Sequence, residues 1–241
     1  MRQAPSPNHD VRPADEPIDM LILHYTGMKT GQAALDRLRD PEKKLSSHYL
    51  VEEDGAVFQL VAEERRAWHA GISHWRGNSD LNGRSIGIEI VNPGHDWGYC
   101  EFPALQLAAT CELCLGILQR HPIPARNVVA HSDVAPDRKQ DPGEKFDWRQ
   151  FADQGVGLWP DGAPDLGTGN PLHDPPSLEP VREALAGIGY SVASHGAFDA
   201  DLSAVLRAFQ RHWRPEAITG QADAGTFARL LAVAGLCIKA C

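Results

Sequence analysis

The sequence predicts a mixed α/β core that is followed by a small helical domain. Short strand-like runs alternate with helix-like segments over residues 1–157. Residues 158–176 are rich in proline and glycine and cannot sustain a helix, which marks them as a linker. Residues 177–241 then carry three segments with helical spacing. The chain of 241 residues, 42% of them hydrophobic, is long enough for two domains with their own cores.

Two strand-like runs of the core end in a histidine. Residues 18–24 alternate in polarity, so that His24 shares one face of the strand with Ile22. A second apolar run at 127–131 closes with His131. Both imidazoles are therefore expected at the end of a sheet, where functional sites gather.

A hairpin and a further strand are predicted between these runs. The hairpin covers residues 46–61 and turns at Asp54-Gly55, a pair favoured in tight turns. The strand covers residues 85–91, and it contains Glu89 between alternating isoleucines.

A carboxylate in the middle of a strand is costly unless it has a partner or a chemical task. Glu89 is therefore either paired with an arginine, such as Arg84 or Arg66, or functional.

The segment at 103–119 is apolar over most of its circumference and predicts a largely buried helix that begins at Pro103. It contains Cys111 and Cys114, whose spacing also occurs in redox and zinc sites. Since no second cysteine pair accompanies them, packing in the core is favoured. The chain has five cysteines, so at least one cannot form an intramolecular disulfide.

Each of the three C-terminal segments places apolar residues on one stripe, which predicts a three-helix arrangement. The stripes are Leu178, Val181, Leu185 and Ile188 in the first segment, Leu202, Val205, Leu206, Phe209 and Trp213 in the second, and Phe227 and Leu230 in the third, which starts near Asp223.

His24, His131 and Asp141 form a candidate metal site. Two imidazole nitrogens and one carboxylate oxygen suit zinc, and three protein ligands leave a fourth position for water, as in catalytic sites. Spacing alone favours a plainer interpretation, because a histidine at a strand end is usually a satisfied polar residue. An aspartate before a proline is usually a turn former, and the three residues match no short metal signature.

Five ordered motifs carry further information: HYTGM at 24–28, SSHYLVEEDG at 46–55, AWHAGISHWRG at 67–77, SIGIEIVNPG at 85–94 and HSDVAPDRKQDPG at 131–143. Together they resemble the zinc-dependent N-acetylmuramoyl-L-alanine amidases. The residues at 146–160 are similar to the two-domain, AmiD-type branch, and those at 189–210 to peptidoglycan-binding modules. The resemblance implies a central mixed sheet flanked by helices, with a zinc groove on one face.

The resemblance also implies a role for each site residue. His24, His131 and Asp141 would bind Zn²⁺, Glu89 would be the catalytic carboxylate, and Lys139 would be the cation beside the reacting carbonyl. The reaction would be hydrolysis of the amide that joins the lactyl group of N-acetylmuramic acid to the first L-alanine of the stem peptide. Zinc would activate the water, and Glu89 would take its proton.

Four further residues in the motifs, Trp68, His69, Arg76 and Asn92, are predicted to bind substrate. A tryptophan offers a flat apolar face to a sugar ring, and an arginine can hold a stem-peptide carboxylate with two hydrogen bonds. Ordinary packing is the alternative for Trp68, and a surface ion pair is the alternative for Arg76.

The charge of the chain limits its partners. The formal net charge is −9, and no basic arm is present, which argues against nucleic acid or an anionic membrane. No run approaches the roughly 20 apolar residues of a membrane span. The expected partner is a muropeptide or peptidoglycan.

The first 17 residues are polar and rich in proline, without the apolar region of a secretory signal and without a lipobox-like cysteine. If Met1 is the true start, we expect a cytoplasmic enzyme that acts on 1,6-anhydro-muropeptides during peptidoglycan recycling. Two alternatives stay open: an exported amidase that acts on the sacculus, and a non-catalytic peptidoglycan-recognition protein. The C-terminal helices could bind wall material, cover the amidase or mediate self-association.

Overall fold

The computed structural model describes residues 1–14, 16–162, 166–167, 169, 171–172 and 175–239. The strands within these residues are β1 Arg2–Gln3, β2 His9–Val11, β3 Met20–Tyr25, β4 Tyr49–Val51, β5 Val57–Gln59, β6 Arg65–Ala67, β7 Ser85–Ile90 and β8 Val128–Ala130. The helices are α1 Gly31–Arg39, α2 Leu81–Arg84, α3 Gly94–Trp97, α4 Ala104–Arg120, α5 His131–Val134, α6 Trp148–Asp153, α7 Pro175–Ile188, α8 Ala200–Trp213 and α9 Ala224–Lys239.

Six strands form one mixed sheet in the order β1-β5-β4-β7-β3-β8. Strand β3 is parallel to β7 and β8, and β4 is parallel to β7. The predicted hairpin is present as the antiparallel pair β4–β5, and β2 pairs with β6 in a separate two-stranded sheet. A mainly parallel sheet covered by helices confirms the predicted fold class.

The central strands β3 and β7 are buried on both faces. In β3, Met20 and Ile22 pack on the side of the C-terminal helices, whereas Leu21 and Leu23 pack on the side of α4. This alternation is the one that the sequence predicts for residues 18–24. The two strands are in register, so His24 lies opposite Glu89 near the carboxyl ends of both strands.

Helix α4 covers one face of the sheet and confirms the predicted helix with Pro103 at its start, but only one of its faces is buried, and Leu105 is 68% exposed. Cys111 and Cys114 lie in this core, with exposures of 2% and 0%. Burial raises the pKa of the Cys114 thiol well above its usual value, so it remains protonated. Both thiols are free, as is Cys100, while Cys241 lies outside the described residues.

The three C-terminal helices form at the predicted places and cover the other face of the sheet. The apolar stripes of these helices do not form a separate core. Leu185, Leu206 and Leu230 belong to one apolar cluster, which also contains Ile22 and Val129 of the sheet. The predicted linker ends earlier than expected, since α7 begins at Pro175. Proline is tolerated in the first turn of a helix, where its missing N–H has no partner to lose.

The N-terminal residues are part of the fold, which their polar sequence does not predict. Strand β1 pairs with β5, and β2 pairs with β6. Arg12 fixes this segment by donating to the backbone oxygens of Glu63, Gly83 and Ser85 at 2.8, 2.7 and 2.8 Å. Among the helices of the described residues, none has the length and apolar character needed to cross a membrane.

Candidate metal centre and active site

The three predicted metal ligands come together at the carboxyl end of the sheet. His24 lies at the end of β3, His131 begins α5 directly after β8, and Asp141 lies on the loop that follows. Their possible ligand atoms lie within 4.8 Å of one another, and all three residues are buried. The Nδ1 atoms of His24 and His131 are 2.8 Å apart, and Asp141 Oδ2 lies 3.2 and 2.9 Å from them. Two nitrogens and one carboxylate oxygen thus face a common point.

The second ring nitrogen of His131, Nε2, contacts a neighbouring loop. Its Nε2 lies 3.2 Å from the backbone oxygen of Ala70. A carbonyl oxygen only accepts hydrogen bonds, so Nε2 carries the proton. The Nδ1 of a neutral His131 is then left with a free lone pair that points towards Asp141.

The second ring nitrogen of His24, Nε2, belongs to a chain of hydrogen bonds that runs through His69 to Ser85. The Ser85 hydroxyl donates to Leu81 O at 2.5 Å, so its oxygen accepts from His69 Nε2 at 3.2 Å. The Nδ1 of a neutral His69 then accepts from His24 Nε2 at 3.0 Å. Carbonyl and imidazole groups behind ligating histidines fix the tautomer in this way in metal sites. His24 therefore also presents a free Nδ1.

The charge states agree with this donor set. Burial, reinforced by His131, lowers the pKa of His24 to about 4, so the imidazole is in the neutral form that binds metals. Burial alone would raise the pKa of Asp141, but its contacts with the imidazoles of His131 and His24 outweigh burial and lower the pKa. A neutral His24 imidazole and an ionised Asp141 carboxylate fit a divalent cation such as zinc.

Glu89 lies beside this group and has no structural partner in the described residues. Its Oε2 is buried and accepts no hydrogen bond from any of them. Burial raises the pKa of Glu89 well above its usual value, the Asp141 carboxylate raises it further, and Lys139 lowers it.

The alternative of a pairing between Glu89 and an arginine does not hold. Arg84 is bound to Asp19, and Arg66 is bound to Asp10 and Asp80. A buried carboxyl group without a pairing partner is typical of a functional site.

These groups open into one cleft of about 800 Å³. Glu89, His131, Lys139 and Asp141 line its floor together with Trp68 and His69. The rim includes Trp97, which is 56% exposed, and Lys29, whose Nζ lies 4.5 Å above the Trp97 ring. Sequence reasoning misses this pair, although Trp97 closely follows one of the five motifs. The rim offers an aromatic surface and a cation to a substrate.

Two of the four predicted substrate-binding residues lie elsewhere. The Arg76 guanidinium donates to Ile188 O at 2.8 Å, at the end of α7. The Asn92 amide donates to Cys100 O at 2.9 Å and accepts from Gly94 N at 3.0 Å, which holds the loop after β7. These polar atoms are occupied and neither residue lines the cleft, so substrate binding by Arg76 and Asn92 stays a prediction. A motif match alone could not separate residues that shape the loops from those that line the cleft.

The family described as N-acetylmuramoyl-L-alanine amidase matches residues 14–144, more than half of the chain. The chain belongs to this amidase family. A second family, described as "Putative peptidoglycan binding domain", matches residues 175–230. The predicted class, a hydrolase that acts on an amide, is thereby confirmed. The family is generally zinc-dependent, and His24, His131 and Asp141 form a group that could hold such an ion.

Curated relatives include the N-acetylmuramoyl-L-alanine amidase AmiD of Escherichia coli, which is 40% identical over 224 residues, 87% of this chain and 79% of AmiD. The 1,6-anhydro-N-acetylmuramyl-L-alanine amidase AmpD of Escherichia coli is 36% identical over 168 residues, 62% of this chain and 89% of AmpD.

Solved structures of similar proteins cover both parts of the chain. E. coli AmiD in complex with the substrate anhydro-N-acetylmuramic acid-L-Ala-D-γ-Glu-L-Lys matches with a TM-score of 0.80 and 39% identity, over 91% of this chain and 90% of AmiD. AmpDh3 of Pseudomonas aeruginosa matches with a TM-score of 0.79 and 35% identity, over 92% of this chain and 93% of AmpDh3.

Proposed function

We propose that this protein is a zinc amidase of peptidoglycan recycling. It hydrolyses the amide between the lactyl group of 1,6-anhydro-N-acetylmuramic acid and the L-alanine of the stem peptide. The observation that carries the proposal is the unpartnered Glu89 beside His24, His131 and Asp141 in an open cleft. The anhydro substrate is supported by two similar structures, AmiD and AmpDh3, whose ligands are an anhydromuramic tripeptide and an anhydromuramic pentapeptide.

His24, His131 and Asp141 would hold the zinc ion through two Nδ1 atoms and one Oδ2 atom. When bound, zinc would polarise the scissile carbonyl and lower the pKa of a water molecule. The protein contributes imidazoles whose Nε2 atoms are held by hydrogen bonds, and a floor of buried side chains, in which electrostatic interactions are stronger than in bulk water.

Glu89 moves the protons in the proposed reaction. Its raised pKa suits a group that takes a proton from the attacking water and then returns it to the leaving amine of L-alanine. Lys139 lines the same cleft and would stabilise the negative charge that develops on the carbonyl oxygen. Trp68 also lines the cleft and would present an aromatic surface to the substrate.

The metal requirement is tested by stripping the purified protein with a chelator and titrating it with Zn²⁺. Hydrolysis of an anhydro-muramyl tripeptide is followed by liquid chromatography. We expect activity to disappear on stripping and to return at one equivalent of zinc, since the structure offers one three-ligand site in the described residues. Full activity of the stripped protein would contradict the proposal.

An exported amidase that acts on the intact wall is a second candidate, favoured by the match of residues 175–230 to a wall-binding family. The two candidates differ in compartment, and the cytoplasmic location expected from the sequence stays a prediction. Fractionation of a tagged full-length protein tests it. Recovery with a cytoplasmic marker supports recycling, whereas recovery with a periplasmic marker together with cleavage of purified sacculi supports the second candidate.

A further inference from the structure

The last turn of α8 contacts the segment that carries the metal ligands. We call residues 130–141, which include His131, Lys139 and Asp141, the catalytic segment. His212 Nδ1 lies 2.7 Å from Asp133 Oδ2, near the start of this segment. The adjacent Arg211 donates through Nη2 to Gln140 Oε1 at 2.9 Å, near its end. One helix turn of the C-terminal part thus contacts both ends of the catalytic segment.

Asp133 is the centre of the contact. It is a fully buried carboxylate that accepts three hydrogen bonds: from Ala130 N at 2.8 Å, from His212 Nδ1 at 2.7 Å and from Tyr190 OH at 2.6 Å. Two of these three donors belong to the C-terminal part of the chain. A buried charge is costly unless it is paired and hydrogen-bonded, so Asp133 depends on them for its position.

Asp133 in turn fixes the backbone around a metal ligand. It is the third residue of α5, the short helix that His131 begins. Its carboxylate accepts from the N–H of Ala130, the residue just before His131. The backbone is therefore held on both sides of His131, which sets the direction of its side chain towards Asp141.

Aromatic packing holds the two donors in place. The His212 ring stacks between Trp148 of α6 and Trp213 of α8, with ring centroids at 3.8 and 3.6 Å. Tyr190 meets the edge of the Trp75 ring, with centroids at 5.1 Å. Burial and the neighbouring Asp133 raise the pKa of Tyr190 well above its usual value, so the phenol remains a hydrogen-bond donor.

We propose that the C-terminal helices act as an internal positioning element for the metal site: Tyr190 and His212 hold Asp133, and Asp133 holds the backbone that directs His131. Tyr190 and His212 are positioning residues and touch no reacting atom. The role goes beyond wall binding, because the residues involved are buried between the two parts of the chain. It rests on the metal site of the proposed function.

The test uses the full chain with three substitutions. His212→Leu removes the imidazole donor, His212→Asn keeps an N–H donor near the position of Nδ1, and Tyr190→Phe removes one hydroxyl while keeping the packed ring. Zinc affinity is measured by competition with a chromophoric chelator, and kcat and KM are measured at saturating zinc. Loss of an outer hydrogen bond to a metal site typically weakens metal binding about 10- to 100-fold.

We expect a loss of zinc affinity in that range for His212→Leu, a smaller loss for Tyr190→Phe, and partial rescue by His212→Asn. At saturating zinc, KM should stay unchanged, because the hydrogen bonds of Tyr190 and His212 end on Asp133, which does not line the cleft. The absorption spectrum of the Co²⁺-loaded His212→Leu protein should differ from that of the wild type.

Gln210→Leu is the matched control on the same helix. Gln210 is fully buried and lies away from the catalytic segment. Its side-chain amide donates to the hydroxyls of Thr219 and Thr226 and to the backbone oxygen of Gln221, and it accepts from the backbone N–H of Gly220. We expect a lower Tm with wild-type zinc affinity. Equal zinc affinities for His212→Leu, Gln210→Leu and the wild type would overturn the positioning role, as would an equal loss in both variants. If zinc affinity falls as expected but the wild type releases no stem peptide, the proposed reaction fails and the positioning role stands.

Discussion

The catalytic end of the sheet and the C-terminal helices both bury polar groups, but they use them differently. At the sheet end, three ligand atoms face a common point, and Glu89 Oε2 has no partner among the described residues. In the helices, the fully buried Gln210 amide is satisfied at both ends, because Nε2 donates to Thr226 at 2.9 Å and Oε1 accepts from Gly220 N at 2.7 Å.

This difference distinguishes polar groups that can take part in a reaction from polar groups that hold the structure in place. A buried group that is left open can bind a cation or move a proton, whereas a satisfied network holds one geometry. The two regions meet at Asp133, which lies two residues after a metal ligand and is satisfied by the helices.

The largest expected effect is at the open end of the sheet. Glu89→Gln should lower turnover by about 10²- to 10⁴-fold, because it removes the proton acceptor. Zinc content should stay normal, since Glu89 is not one of the three ligands. Turnover and zinc content are measured on the same preparation, with His24→Ala, which should lose both, as the control. Near-normal turnover of Glu89→Gln would remove this carboxylate from the mechanism.

A substitution in the apolar core that α8 shares with the sheet should lower the stability of the protein and leave its turnover nearly unchanged. Leu206 is fully buried in the cluster that joins α8 to the sheet. Leu206→Ala should reduce the free energy of unfolding by about 2–5 kcal/mol, because it leaves a cavity. Urea unfolding gives this quantity, and turnover measured well below the unfolding transition should remain close to that of the wild type. A loss of turnover as large as that of Glu89→Gln would erase the distinction between the two regions.

Substitution of His69, which accepts a hydrogen bond from the metal ligand His24, should have an intermediate effect on zinc affinity. His69→Ala removes the acceptor for His24 Nε2 and should weaken zinc binding about 10- to 100-fold. His69→Asn places an amide oxygen near the position of Nδ1 and should restore part of the affinity. His74→Ala, in the same loop, is the matched control. Chelator competition measures all three, and unchanged zinc affinity in His69→Ala would show that the histidine tautomer is set in another way.

The smallest expected effect is at the start of α8. The Asp199 carboxylate accepts from Leu202 N at 2.8 Å and caps the helix. Asp199→Ala should cost about 1 kcal/mol of stability and leave zinc affinity unchanged, because this end of α8 is far along the helix from Arg211 and His212. Thermal unfolding tests the expected loss of stability, and chelator competition tests the unchanged zinc affinity. A loss of zinc affinity would mean that the whole helix, and not its last turn, positions the site.

Much of the fold could be predicted from periodicity. Alternation at residues 18–24 and apolar stripes in the C-terminal segments identify β3, α7, α8 and α9, because burial imposes a period on the sequence. The polar segment 1–14 carries no such period, so its pairing with β5 and β6 could not be predicted. The same limit applies to the shared core, since an apolar stripe does not reveal which surface covers it.

The site was predicted in a similar way. The motifs identify His24, His131, Asp141 and Glu89, which the structure brings together at the carboxyl end of the sheet. The link between Asp133 and His212 spans 79 residues of sequence, and neither residue stands out in its own segment. Arg76 shows a further limit, because a motif does not reveal that its guanidinium donates to Ile188 O at the end of α7, and its role in substrate binding stays a prediction.

A metal-dependent amidase reaction is tested most directly by mass analysis of a mixed substrate pool. Zinc-loaded protein, with a chelated sample as the control, is incubated with equal amounts of 1,6-anhydro-muropeptides and muropeptides that carry an ordinary reducing end. We predict release of intact stem peptides with L-alanine at the amino end, free anhydro-muramic acid from the anhydro pool, and no release after chelation. Absence of stem-peptide release from either pool, or release that chelation does not affect, would contradict the account.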